Sequence, residues 1–166
     1  MPAFVTRKHT TVRPLELTNL VLDSLLENAD SVESATLEIA RRAGFSGADV
    51  EKIGLAAREI VANAIIHGNR LDLRKKVIVT ILRTNKRLEI TVVDEGSGFE
   101  PDDLPDPRSA EVLLRKSGRG IYLARSFMDE FHVHIRPQGG ATVTLIKYMC
   151  CSGCTHHSKG GSESSE

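Results

Sequence analysis

Hydrophobic positions alternate with polar ones in some segments of the chain and recur every three or four residues in others. Alternation is typical of strands, and the longer repeat is typical of helices. Alternation predicts strands at Leu15–Leu22, Lys76–Thr84, Arg87–Asp94, Glu130–Arg136 and Ala141–Tyr148. The dipeptide Asn85–Lys86 and a Pro-Gln-Gly-Gly stretch join two pairs of these strands, which indicates hairpins.

The helical repeat predicts three helices, of which the first ends at Arg42 and the others span Gly47–His67 and Ile121–Met128. Asn28 or Asp30 is suited to cap the first helix, and Gly44 to end it in a left-handed conformation. Ser46 is suited to cap the second helix. Hairpins dominate and the helices cluster, so the order predicts an α+β fold in which helices cover one face of a mixed, mostly antiparallel sheet.

The pattern also divides the chain. Residues 1–14 are predicted to be a polar arm, residues 15–148 one domain, and residues 149–166 a disordered tail. Residues Glu95–Ser117 are rich in Gly, Pro, Asp and Ser, and are predicted to form a long loop with one helical turn near Ala110–Leu114. Long loops inside compact domains tend to be functional.

Composition narrows the function classes. The 166 residues carry 22 basic and 22 acidic side chains, and this balance argues against a nucleic-acid partner. No apolar run approaches about 18 residues and the first residues do not resemble a signal peptide, so we expect a cytoplasmic protein without a membrane span. The cysteines Cys150, Cys151 and Cys154 lie near His156 and His157. A zinc site there is the less favoured interpretation, and an exposed tail the favoured one.

Glu59 and Asn63 are the first candidates for chemistry. They lie four residues apart on the second helix and therefore share one face among alanine, isoleucine and valine. A carboxylate and an amide in such surroundings need polar partners. A hydrated Mg²⁺ ion and a nucleotide phosphate are suitable partners, while exposure to solvent or capping of a neighbouring element is the alternative.

A second candidate follows the strand that ends at Asp94. There, Gly96 and Gly98 precede Phe99. An acid at a strand end can accept a hydrogen bond from an exocyclic amine, and glycines let a flat ring approach the backbone. An ordinary Asp-Gly turn is the alternative. A Rossmann site is excluded because the third glycine and the surrounding βαβ unit are missing.

The third candidate is the sequence Ser117-Gly118-Arg119-Gly120, placed directly before the third predicted helix. Free backbone amides and the helix dipole make such a start an anion site. Gly118 and Gly120 leave room for phosphates, and Arg119 either adds charge or faces solvent. A flexible glycine loop is the alternative.

Together these motifs resemble those of the GHKL superfamily, the Bergerat-fold ATPases, over about Ala48 to Lys147. The sequence EIVANAIIHGN resembles the N box, DEGSGF and GRGIYLARSFMDE resemble the two glycine boxes, and GGATVTLIKY resembles the closing strand. The short lid and the phrases NAIIHG and SFMDE are most similar to the RsbW-like anti-sigma-factor serine kinases of bacterial partner-switching systems.

The resemblance implies a role for each matching residue. Glu59 would be the acid that acts as general base or orients the attacking group, and Asn63 would be the magnesium ligand. Asp94 would be the acid that reads the adenine amino group, with Gly98 lining the base pocket and Gly96 in the same nucleotide-binding loop. Gly118 and Gly120 would face the phosphates, Arg119 is a candidate nucleotide-binding residue between them, and Glu100–Ser117 would be the lid. The family usually has Thr directly after the closing-strand glycine, where this chain has Ala141. Thr142 follows and is a candidate adenine contact, although neighbouring strand residues face opposite ways.

The implied activity is an ATP- and Mg²⁺-dependent serine/threonine protein kinase that acts as an anti-sigma factor. Its implied partners are a STAS-type antagonist, which it phosphorylates, and a sigma factor bound by a homodimer. Two alternatives remain open: an ATP-binding regulatory module without turnover, and a detached histidine-kinase ATPase domain. The latter ranks last because such domains usually have a longer lid and a phosphoacceptor helix.

Overall fold

A single sheet forms one layer of the molecule. The computed structural model describes residues 14–96 and 116–149. Within them, five strands pair in the order β1-β2-β3-β5-β4, and every pair is antiparallel, with no parallel pair in the described part. The strands are β1 (Glu16–Asp23), β2 (Lys76–Arg83), β3 (Arg87–Asp94), β4 (Glu130–Ile135) and β5 (Ala141–Tyr148).

The helices form the second layer, which confirms the predicted two-layer α+β fold. They are α1 (Glu27–Ala43), α2 (Gly47–Asn63), a π-helical turn (Ala64–Gly68) and α3 (Lys116–Phe127). Helix α2 contacts both α1 and α3, and it also packs on β3 and β5. Alternate apolar residues of the inner strands are buried beneath the helices: Val77, Val79, Ile81, Leu88, Ile90 and Val92. Candidate functional residues on α2 are therefore flanked by helices on two sides.

The start of α1 differs from the prediction. The helix begins at Glu27 after Leu26, which makes no side-chain capping bond. Asn28 instead donates from Nδ2 to the carbonyl of Asp23, at 2.9 Å, and so ties the helix to the end of β1. The other two boundary predictions are confirmed. Gly44 ends α1 with φ of 89°, and Ser46 caps α2 by accepting from the Asp49 amide at 3.2 Å.

The end of α2 also differs from the prediction. The segment Gly47–His67 was expected to be one α-helix, but α-helical geometry ends at Asn63 and a wider π-helical turn follows. The turn closes with a bond of 2.8 Å from the Asn69 amide to the Ala64 carbonyl, five residues back. Such turns are rare and often occur at functional sites.

The prediction that Gly118–Gly120 precede the third helix is wrong. Both glycines lie inside α3, which the structure describes from Lys116. Glycine costs a helix roughly 1 kcal/mol relative to alanine, so local preference alone favours a later start. The packing of α3 on α2 outweighs this preference, and Gly120 lets the α3 backbone lie directly against the Glu59 carboxylate.

Several predictions fall on residues outside the described part: the arm up to residue 13, Gly98, the lid with its helical turn, and the tail with its possible zinc site. Among the described helices, none combines the length and the apolar character needed to cross a bilayer.

Candidate functional site

Glu59 lies where α2 meets α3. A Cβ atom built on Gly120 would stand 2.2 Å from Glu59 Oε2, so the α3 backbone approaches this carboxylate more closely than any other residue would allow. The Glu59 side chain keeps 26% of its surface exposed. Its carboxylate is therefore held against glycine backbone and still reaches solvent, which suits a group that must meet a substrate.

Asn63 follows Glu59 by one helical turn and is half-buried. Its Nδ2 atom is buried and has no hydrogen-bond partner among the described residues. Buried polar groups nearly always have a partner, so this amide nitrogen calls for a further one, which a ligand can supply. A nucleotide phosphate can accept from the amide nitrogen, and Mg²⁺ prefers oxygen ligands such as the amide carbonyl. The side chain therefore fits a magnesium nucleotide.

Asp94 ends β3 and is only 4% exposed. Its Oδ1 atom accepts hydrogen bonds from the Gly96 amide at 2.8 Å and the Ala141 amide at 3.2 Å. Burial raises the pKa of Asp94, and the two amide bonds offset part of that rise. Both bonds use Oδ1, which leaves Oδ2 to accept a hydrogen bond from a ligand amine.

Three glycines enclose Asp94. A Cβ on Gly68 would meet the Asp94 carboxyl carbon at 2.6 Å, and one on Gly140 would meet the Asp94 carbonyl oxygen at 2.1 Å. A Cβ on Gly96 would meet the Gly68 carbonyl oxygen at 2.3 Å. Neither Gly68 nor Gly140 was predicted from the sequence to be a site residue. Their place inside the N-box and closing-strand motifs was the signal that could have identified them.

Asn69 was missed by the sequence analysis. It is fully buried, and its Nδ2 atom donates to Ser24 Oγ and to the Lys76 carbonyl, both at 2.9 Å. Its Oδ1 atom accepts from the Glu95 amide at 2.8 Å. One side chain thus joins the ends of β1, β2 and β3 beside Asp94. The sequence offered only its position directly after the N-box glycine as a signal.

The remaining predicted site residues are placed differently. Thr142 pairs with Val93 and His134, so its side chain lies on the sheet face opposite to the Asp94 carboxylate. The closing strand contributes the Ala141 amide instead. Gly118 lies in the first turn of α3, and Arg119 follows it with an exposed side chain.

One continuous helix links the two ends of the candidate site. Its residue Glu59 touches α3 at Gly120, and its residue Gly68 touches the Asp94 carboxylate. Glu59 and Gly68 are nine positions apart, which corresponds to a rise on the order of 13 Å along the helix, the scale of an extended nucleoside triphosphate. Asn63 lies between them. Asp94 thus offers an acceptor for an amine at one end and Glu59 a carboxylate at the other. Between them, Asn63 offers an amide nitrogen without a partner among the residues that the structure describes.

Comparison with known proteins gives matches over most of the chain. Residues 22–147 match the family described as the histidine kinase-like ATPase domain. The serine-protein kinase RsbW of Bacillus licheniformis is 32% identical over 117 residues, which cover 67% of this chain and 72% of that protein. The anti-sigma F factor of Anoxybacillus flavithermus is 30% identical over 103 residues, which cover 61% of this chain and 70% of that protein. The solved structure of the mycobacterial sensor histidine kinase MprB aligns with 79% of this chain and 97% of that chain, at 15% identity and a TM-score of 0.47.

Proposed function

Because this chain belongs to the histidine kinase-like ATPase family and is related to serine-protein kinases and anti-sigma factors, we propose that it is an ATP-dependent protein kinase that phosphorylates a serine of a STAS-type antagonist. It also binds a sigma factor, as a homodimer, in a cytoplasmic partner switch. The observation that carries the kinase proposal is the buried Nδ2 atom of Asn63, which has no partner in the described part of the chain and lies one helical turn from the partly exposed carboxylate of Glu59.

The nucleotide lies along α2 in this proposal. Asp94 accepts a hydrogen bond from the adenine amino group through Oδ2, next to the backbone of Gly68, Gly96 and Gly140. Asn63 holds the phosphates and Mg²⁺, which when bound neutralises charge on the phosphate oxygens. Gly98, Gly118, Arg119 and Gly120 complete the nucleotide site.

Glu59 acts on the incoming hydroxyl group. Its carboxylate takes the proton from the serine hydroxyl while the seryl oxygen bonds to the γ-phosphorus. The bond from that phosphorus to the β,γ-bridging oxygen breaks, and ADP keeps its electron pair. Phosphoryl transfer depends mainly on positioning and charge, which is consistent with a carboxylate held against the α3 backbone.

The test is incubation of the purified chain with labelled ATP, Mg²⁺ and each STAS-domain protein of the source organism in turn. We expect one of them to become labelled on serine. The Glu59→Gln variant should bind ATP with unchanged affinity and transfer label at least about a hundredfold more slowly. Label transfer by Glu59→Gln at the wild-type rate would contradict the role of Glu59.

A second measurement separates the kinase from a binding module without turnover. Pull-down from native cytosol, with and without Mg²⁺ and ATP, recovers the partners in either case. A module without turnover would retain a partner in the presence of ATP and label none of the proteins recovered. A kinase would label the antagonist and then release it.

A further inference from the structure

We propose that Arg58 is a positioning residue that fixes the Glu59 carboxylate for proton transfer. This inference rests on the kinase function proposed above and adds a residue to it. Arg58 precedes Glu59 on α2, and its guanidinium lies between that carboxylate and two acidic side chains of α1. Helix α1 therefore helps to position the Glu59 carboxylate by holding Arg58, although none of its residues reaches the nucleotide site in the proposal.

Two acidic side chains of α1, Asp30 and Glu33, hold the Arg58 guanidinium. Arg58 Nε donates to Asp30 Oδ1 at 2.8 Å and lies 3.5 Å from Glu33 Oε2. One helical turn earlier, a Cβ on Gly54 would meet a Leu37 side-chain carbon at 2.5 Å, so α1 and α2 approach closely at this level. The close approach brings the acidic side chains of α1 within reach of the guanidinium, whose planar fork can bind two partners at once.

A second nitrogen of the Arg58 guanidinium, Nη1, binds the Glu59 carboxylate. Arg58 Nη1 donates to Glu59 Oε1 at 3.3 Å, while Oε2 is the oxygen that faces the Gly120 backbone. The two carboxylate oxygens therefore have different surroundings. Arg58 engages Oε1 and leaves Oε2 to take the hydroxyl proton. The guanidinium also offsets the repulsion between this carboxylate and the phosphates of ATP.

The ion pairs themselves contribute little to stability. The Arg58 side chain is 36% exposed and Asp30 is 64% exposed, and ion pairs in such surroundings are weak because water screens them. Arg58 variants should therefore fold. The expected effect is on the rate of transfer, because a small displacement of a catalytic group costs rate without costing fold.

The experiment compares Arg58→Met, Arg58→Lys and Asp30→Asn with the wild type, using labelled ATP and the STAS-domain protein that accepts phosphate. Arg42→Met is the matched control, since Arg42 forms ion pairs with Glu16 and Glu38 on the other side of α1. We expect Arg58→Met to lower kcat by about tenfold or more, with KM for ATP changed less than about threefold. Arg58→Lys keeps the positive charge but lacks the planar guanidinium, so its kcat should lie between those of the wild type and Arg58→Met. Asp30→Asn should lower kcat less than Arg58→Met does.

A double variant tests whether Arg58 acts through Glu59. If it does, Arg58→Met should cause no further loss in the Glu59→Gln background. The inference is overturned if Arg58→Met keeps kcat within about twofold of the wild type, if its effect falls on KM alone, or if Arg42→Met loses as much. Should Arg58→Met fail to fold, Arg58→Gln takes its place under the same criteria.

The outcomes also separate this inference from the proposed function. Absence of label transfer by the wild type would refute the kinase itself. Transfer that is lost in Glu59→Gln and retained in Arg58→Met would refute only the role of Arg58.

Discussion

The Asp94 site depends on neighbouring glycines, which have no side chain, as much as on the Asp94 carboxylate itself. The carboxylate of Asp94 occupies the space that side chains at positions 68 and 96 would need. Its two amide bonds prevent it from moving aside. Small changes next to Asp94 should therefore affect nucleotide binding directly.

Gly68→Ala should weaken nucleotide binding. The new methyl group would meet the Asp94 carboxyl carbon at 2.6 Å, and we expect a loss of about 1–3 kcal/mol in stability together with a loss of at least about tenfold in ADP affinity, equivalent to about 1.4 kcal/mol. Calorimetry and denaturant unfolding measure the two effects. Gly47→Ala is the control, because a Cβ there meets no atom within 4 Å. Equal ADP affinities in both variants would contradict the placement of adenine at Asp94.

Asp94→Asn should stabilise the free protein and abolish nucleotide recognition. Burial raises the pKa of Asp94 in the folded state, so the stability associated with the protonated acid is present at low pH and is lost as pH rises through that folded pKa. The amide variant avoids this loss, and its advantage in unfolding free energy should be larger at pH 8 than at pH 4. Its NH₂ group, however, would oppose the adenine amine. Denaturant unfolding at the two pH values and ADP calorimetry check both effects, and an advantage that did not vary with pH would contradict this account.

At the scale of the element, α3 illustrates a conflict between local preference and packing. Two glycines in its first turns disfavour helix, yet the segment is helical from Lys116 and packs on α2, where Gly120 lies against Glu59. The π-helical turn after Asn63 has a similar origin. Its extra residue delivers the Asn69 side chain to three strand ends. Neither feature follows from the periodicity of its own segment.

Gly120→Ala should impair catalysis more than stability. The nearest atom to the new methyl group is Glu59 Oε2, the end of a flexible side chain that can move away, and helix propensity gains roughly 1 kcal/mol. We expect a stability change within about 1 kcal/mol and a fall in phosphate transfer of about tenfold or more. In the Glu59→Ala background, the same substitution should raise the unfolding midpoint. A lower midpoint in that background would show that the methyl group is crowded by more than the Glu59 carboxylate, since Glu59 Cβ would also lie 3.3 Å from it.

At the scale of the whole molecule, the site is assembled from distant parts of the chain. Helix α2, the end of β3 and helix α3 are separate segments of the sequence, so a ligand that bridges them should stabilise the entire domain. Binding to the folded state alone adds about 2.7 kcal/mol at a concentration of 100 times Kd.

Mg²⁺ with ADP at that concentration should raise the unfolding temperature by about 5–10 °C. Removing Mg²⁺ with EDTA should reduce the shift, and Asn63→Ala should make the residual shift insensitive to Mg²⁺. Differential scanning calorimetry measures each midpoint. A wild-type shift that is the same with and without Mg²⁺ would contradict the role of Asn63 as a metal ligand.

The sequence by itself determined the elements and the two-layer fold, because periodicity and caps such as Ser46 act within a few residues. It also indicated Glu59, Asn63 and Asp94, since these polar residues interrupt or end apolar elements. Only the tertiary structure decided which neighbours surround them: the close backbone approach of Gly68 and Gly140 to Asp94, the Asn69 bonds, the outward face of Thr142 and the reach of Arg58. These features depend on contacts between segments far apart in the chain, and no local pattern encodes the distance between two such segments.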